Sequence, residues 1–145
     1  MTIPLRAKDI MHNITVIPPD MSVQEAARVM AEKSIGSVLV KVGENDYGMV
    51  TERDILKKVT ANAKDPSQLS VKEIMSHPLI TVDVEADIFK IAGLFTQNNI
   101  RRLPVTREGE IVGILTTRDV TRSLMRDFYA QHPLFREMKE YKKKG

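Results

Sequence analysis

The segment Gly48-Met49-Val50-Thr51-Glu52-Arg53-Asp54 returns as Gly113-Ile114-Leu115-Thr116-Thr117-Arg118-Asp119, each matching pair 65 positions apart. The same spacing relates His12 to His77, Ala27 to Ala92, Ile35 to Ile100 and Val40 to Val105. Upstream, Lys8-Asp9-Ile10-Met11 matches Lys72-Glu73-Ile74-Met75 at a spacing of 64, which marks Ser76 as a one-residue insertion. A unit written twice limits the fold more than any other feature, because whatever one copy forms the other must form again. Each copy has about 60 residues, a size marginal for stability alone. Duplication therefore predicts that the copies pack on each other about a pseudo-twofold axis and share one core. Clefts at such an interface are favoured places for small ligands.

Each copy shows the same order of elements. A short apolar strand comes first, Ile14–Ile17 and then Leu79–Val82. An amphipathic helix follows. After Ser22, with Glu25 three positions on as a capping partner, Val23, Ala26, Ala27, Val29 and Met30 fall on one face. After Asp87, Ile88, Ile91, Ala92, Leu94 and Phe95 do the same. Two further strands come next in each copy, within residues 36–42 and 47–51 and then 101–107 and 110–116. Residues 43–46 and the Glu108-Gly109 turn join them as hairpins. A second helix opens at Thr51 and at Thr116. The doubled β-α-β-β-α order predicts an α/β (α+β) protein of small sheets flanked by helices. The expected divisions are repeat one at 1–66, repeat two at 67–129 and a basic tail at 130–145, with the polar, Pro-containing segment 61–70 between the halves.

Composition narrows the class. The chain of 145 residues is 42% apolar and 28% charged, as in globular proteins. No apolar run approaches the roughly 18 residues of a membrane span. There is no cysteine, which removes disulfides and thiolate metal sites and suits a cytoplasmic protein. The net charge of +3 belongs to the tail, where Arg136, Lys139, Lys142, Lys143 and Lys144 outnumber Glu137 and Glu140. The body is therefore neutral and offers no basic footprint for nucleic acid. His12, His77 and His132 lack metal-ligand spacing. No phosphate-binding loop, nucleophile elbow or general-base pair is present, so no enzyme activity is expected.

The Thr-x-x-Asp motif admits two readings. It is a helix capping box, in which Thr accepts from the amide three residues on and Asp returns a bond to the Thr amide. It is also a site. A strand-to-helix junction exposes amides and the positive helix end to a phosphate, and a carboxylate can accept from both hydroxyls of a ribose diol. The recurring glycine and arginine are not needed by a cap. These features fit a ribonucleotide, and spacing alone carries the reading no further.

With Gly-x-x-Thr-x-Arg-Asp closing each strand pair, the doubled unit resembles a tandem CBS-domain protein, also called a Bateman module. Ile100-Arg-Arg-Leu-Pro-Val105 resembles the family's middle-strand signature, and Ile35-Gly-Ser-Val-Leu-Val40 is the matching stretch without the proline. The resemblance implies a regulatory module that binds an adenosine-containing ligand between its repeats: AMP, ADP or ATP, with S-adenosylmethionine and NAD as further candidates. It implies that Asp54 with Thr51, and Asp119 with Thr116, take ribose and phosphate oxygens. It further implies crossed clefts. Asp54 would face His77, Pro78, Leu79 and Ile80, and Asp119 would face His12, Asn13 and Ile14, with Met49 and Ile114 walling the base. Arg101 and Arg102 would grip phosphate in one cleft, where the other has Gly36 and Ser37. Arg53 and Arg118 are further candidates for either.

The function expected is a nucleotide sensor signalling through an effector protein or through its own assembly, a homodimer paired through helices as CBS pairs generally are. The rival readings are a ligand-free interaction scaffold, in which Thr-x-x-Asp survives only as a cap, and a nucleic-acid-associated factor acting through the Lys-rich tail. That tail could pack Leu134, Phe135, Met138 and Tyr141 on the body or a partner, or end as a frayed terminus.

Overall fold

The computed structural model describes residues 5–131. His132 and the tail's Leu134, Phe135, Met138 and Tyr141 lie outside the described residues. The first repeat runs β1 (Val16–Ile17), α2 (Val23–Lys33), β2 (Ser37–Gly43), β3 (Asp46–Thr51) and α3 (Glu52–Lys58), preceded by a short helix α1 (Ala7–Ile10). The second runs β4 (Val82–Asp83), α4 (Ile88–Asn98), β5 (Arg102–Arg107), β6 (Glu110–Thr116) and α5 (Thr117–Gln131). Single 3-10 turns lie at Thr60–Asn62 and Val71–Glu73. The three-stranded sheets are ordered β1-β2-β3 and β4-β5-β6. The α+β architecture of two small sheets flanked by helices is the one the repeat predicts.

Local sequence accounts for most element ends. Ser22 Oγ accepts from the Glu25 amide at 3.1 Å, and Asp87 Oδ1 from the Lys90 amide at 2.9 Å. Ser34 and Asn99 close α2 and α4 in the left-handed conformation, with φ of 53° and 50°. The β5–β6 turn has φ of 51° at Glu108 and 82° at Gly109, the double positive φ of a two-residue type I′ hairpin. Strands β1 and β4 are shorter than expected, each pairing in parallel with the next strand over only two positions. Further upstream the chain is bonded to another strand: His12, four residues before β1, bridges to Ile114, and Ser76, six before β4, to Met49.

The chain divides into two compact units, and their composition is not that of the two repeats. One gathers Asn13–Ile80 with Glu108–Ile111; the other joins the lead segment up to His12 to Thr81–Arg107 and the chain from Val112 onward. Among the described residues the buried apolar side chains form two clusters rather than the one shared core that duplication suggests. One comprises Ile17, Val23, Ala26, Met30, Val38, Val40, Val50 and Val59 with Val71 and Ile74. The other comprises Val82, Val84, Ile88, Ile91, Phe95, Leu103, Val105, Leu115 and Val120 with Ala7. Each sheet is sealed by the lead segment of the opposite repeat, and that exchange lets each unit complete a core of its own.

Backbone bonds hold the exchanged segments. The Ala7 and Lys8 amides donate to Ala86 O and Val84 O at 2.9 and 3.0 Å, and Ile88 donates to Leu5 O at 3.0 Å. In the other unit Val23 donates to Leu69 O at 2.8 Å, Gln24 to Pro66 O at 3.1 Å and Val71 to Met21 O at 2.9 Å. The segment 61–70, expected as a divider of the halves, is thus bonded along the start of α2.

Candidate functional site

Both Thr-x-x-Asp motifs form complete capping boxes. Thr51 ends β3 in an extended conformation, φ −115° and ψ 163°, and its hydroxyl accepts from the Asp54 amide at 3.1 Å. Asp54 Oδ2 accepts from the Thr51 amide at 2.9 Å and from its hydroxyl at 3.1 Å. In the second copy Asp119 Oδ2 accepts from the Thr116 amide at 2.8 Å and its hydroxyl at 2.9 Å, while the Asp119 amide donates to Thr116 Oγ1 at 3.2 Å. Each box engages one carboxylate oxygen twice. The second oxygen, Oδ1, plays no part in the cap.

The exchanged lead segments bring a chain from the opposite repeat to each box. His12 and Ile114 exchange both backbone bonds, at 2.8 and 3.0 Å, and Met49 and Ser76 do the same at 3.0 and 2.9 Å. These bridges explain the motif glycine. A Cβ on Gly113 would stand 2.5 Å from Met11 Sδ and 3.0 Å from Met11 Cβ. One on Gly48 would collide with Met75 Sδ and approach Ser76 O at 3.1 Å. The glycine lets the methionine of each Lys-x-Ile-Met segment lie on the strand that ends in the box.

The same bridges correct the pairing of the histidines. Backbone register makes His12 equivalent to Ser76, not to His77, so the extra residue of the second repeat is not Ser76 itself but follows it. His12 therefore faces its box: Nε2 lies 2.6 Å from Asp119 Oδ1. His77, one position further along, instead bonds Asp46 Oδ1 at 2.6 Å, through Nε2. Asp54 Oδ1 is met from its own helix by Lys58 Nζ at 3.2 Å, and that ammonium also donates to Ile74 O at 2.7 Å. Neither Lys58 nor Asp46 was singled out in the sequence. Lys58 could have been, since it stands four residues after Asp54 on a helix; Asp46 carries no such signal.

The other candidate residues divide between the units. Met49 is buried beside Thr51 and Ile114 is half-buried beside Thr116. Ser37 pairs with Thr51 across β2 and β3. Pro78 and Ile80 are exposed and Leu79 half-buried, all in the unit of Thr51 and Asp54. Asn13, exposed, and Ile14, half-buried, also belong to that unit, whereas His12 belongs with Asp119. Arg101, exposed, and Arg102, half-buried, are in the unit of Thr116 and Asp119, where the Thr117 amide donates to Arg101 O at 3.0 Å. Arg53 and Arg118 are exposed on the first turns of α3 and α5.

The boxes present carboxylate acceptors rather than a reactive group. Each Thr hydroxyl accepts from a helix amide while giving its proton to the carboxylate, a closed arrangement that leaves no free nucleophile. Among the described residues no cluster of three or more His, Cys, Asp or Glu is placed to hold a metal ion, and no helix is long and apolar enough to cross a membrane.

Comparison with known proteins agrees with this duplicated geometry. The CBS domain model matches twice, over residues 7–61 and 71–126. Hypoxic response protein 1 of Mycobacterium tuberculosis is 33% identical over 121 residues, 81% of this chain and 84% of that protein. An uncharacterized protein of Methanopyrus kandleri is 36% identical over 131 residues, 88% of this chain and 64% of its own length. Among solved structures, the hexameric CBS-CP12 protein from bloom-forming cyanobacteria superimposes with a TM-score of 0.79 at 35% identity, covering 90% of this chain and 77% of that one. A putative signal-transduction protein with CBS domains from Burkholderia ambifaria superimposes with a TM-score of 0.74 at 32% identity, covering 82% and 87%. Tandem CBS-domain proteins are typically regulatory, non-catalytic modules. With two matches that take up most of its length, the chain belongs to the CBS-domain family.

Proposed function

We propose that this chain is a non-catalytic sensor of an adenosine nucleotide, AMP, ADP or ATP, with the Asp54 and Asp119 boxes as its ribose-binding elements. One observation carries the reading: in both boxes the cap is satisfied through Oδ2, which leaves Oδ1 as the acceptor turned to other groups. A ribose hydroxyl approaching Oδ1 meets a partly exposed donor, Lys58 or His12, rather than the cap. The walls Met49 and Ile114 supply apolar surface for a base, and Arg101 and Arg102 supply charge for phosphate. The module acts in the cytoplasm and passes its occupancy to an effector protein or to its own assembly.

A homodimer through helices fits the apolar surface. Leu56 on α3 is 62% exposed, Phe89 on α4 81% and Leu124 on α5 50%. These side chains are apolar surface that a second copy paired through helices would cover. The related cyanobacterial CBS-CP12 protein is itself hexameric.

Mass spectrometry of small molecules released from the purified protein, with titration calorimetry against AMP, ATP and S-adenosylmethionine, tests the sensor reading. The expected result is an adenosine nucleotide in the released fraction and saturable binding that D54N or D119N weakens. Absence of binding for all three ligands would leave the scaffold reading in its place.

A further inference from the structure

We infer that His12 is an internal competitor for the Asp119 site, a latch that a ribose must displace before both of its hydroxyls can bind. The inference rests on the adenosine-nucleotide reading of that box and adds a regulating residue to it. Its basis is a count of lone pairs. An ionised carboxylate accepts at about four positions. Asp119 Oδ2 already accepts twice, from the Thr116 amide and hydroxyl. Oδ1 accepts from His12 Nε2 at 2.6 Å. One position remains, enough for one hydroxyl and too few for a 2′,3′-diol.

The latch is built to move. Its imidazole is 61% exposed, whereas the carboxylate it covers is 11% exposed. The carboxylate is an acceptor only, so the 2.6 Å contact requires a proton on Nε2, carried by the imidazolium or by the Nε2–H tautomer of the neutral ring. The backbone of His12 stays bonded to Ile114 through both of its groups, so the ring can swing out while the segment holds. The first box differs. There Ser76 stands in the backbone register of His12, and His77 is turned to Asp46. Its Oδ1 is met by Lys58 as an ion pair at 3.2 Å without a hydrogen bond, because the ammonium donates to Ile74 O, so both acceptor positions of that oxygen stay open. The two sites therefore respond differently to the number of hydroxyls a ligand carries.

Calorimetry on the full chain tests this with adenosine and 2′-deoxyadenosine as probes, in a D54N background that silences the first box. Replacing His12 by Phe keeps a ring but removes the donor; H12L removes both; H12Q keeps a donor. The expected result is that H12F and H12L raise the preference for adenosine over 2′-deoxyadenosine by roughly two- to tenfold, the range for a half-exposed charge-assisted hydrogen bond. H12Q should stay near the starting ratio. Melting curves confirm that each variant is folded. An unchanged or lowered ratio in both H12F and H12L, with binding retained, overturns the latch and leaves the nucleoside reading standing. No adenosine binding in the background protein or any His12 variant overturns both.

Discussion

The two roles of Asp54 can be separated by a single oxygen. In D54A three interactions disappear: bonds from the Thr51 amide at 2.9 Å and hydroxyl at 3.1 Å, and the Lys58 contact at 3.2 Å. Helix α3 has only seven residues and none is fully buried, so its end depends on the box more than a long, packed helix would. Loss of a capping interaction costs about 1 kcal/mol. Lys58 is 46% exposed, so the ion pair adds only about 0.3 kcal/mol after solvent screening. The expected total is roughly 1–1.5 kcal/mol, a fall in Tm of about 3–8 °C for a domain of this size. In D54N the amide oxygen can still accept from the Thr51 amide, and the change should stay within about 0.5 kcal/mol. That oxygen is then committed to the cap, and the amide nitrogen offers hydrogens where a diol needs acceptors. Adenosine affinity should therefore fall at least about tenfold in D54N and in D54A alike. Thermal melting followed by circular dichroism reads the first quantity and calorimetry the second. If D54N bound adenosine as the unsubstituted protein does, Oδ1 would have no part in binding and Asp54 would be a cap alone.

Further outcomes follow from the same geometry. G113A places a Cβ 3.0 Å from Met11 Cβ, too near the backbone for Met11 to swing clear, and should cost about 1–3 kcal/mol by chemical denaturation. The pair R101G/R102S, which copies Gly36 and Ser37, should erase any salt-sensitive preference for AMP over adenosine; an unchanged ratio would place the phosphate elsewhere. The Asp65 carboxyl is held below its ordinary 3.8 first by the Ser67 hydroxyl and then by the Ser67 amide. A depressed carboxyl adds stability above its unfolded value that is lost as the pH falls through the folded one. In S67A the Asp65 titration, followed by carboxyl NMR, should move up toward 3.8, and the acid limb of the stability profile should flatten there.

Much of the molecule could be read from neighbouring residues. The caps at Ser22, Asp87 and Thr51, the type I′ turn at Glu108-Gly109 and the apolar faces of α2 and α4 are written within a few positions, because hydrogen bonds of this kind close over three or four residues. The boxes were legible as boxes for the same reason. The short reach of β1 and β4 was not: Ile14 and Leu79 carry strand-like neighbours, yet the chain leading to each strand is held upstream, at His12 by β6 and at Ser76 by β3.

The sequence by itself determined that one unit is built twice, where its helices and hairpins begin, and that each copy ends its second strand pair in a carboxylate at a helix start. Only the tertiary structure decided which side chains meet the oxygens of that carboxylate. The exchanged lead segments put Ala7 in one core and Val71 and Ile74 in the other, and the motif glycines mark where each segment lies on its strand. His12 reaches Asp119 across 107 positions of chain, while His77, its match in the repeat, bonds Asp46 instead. A spacing of 65 pairs the two histidines, but one inserted residue moves His77 past the register that His12 holds. Side chains of successive extended residues point opposite ways, so a shift of one position is enough to give equivalent residues different partners.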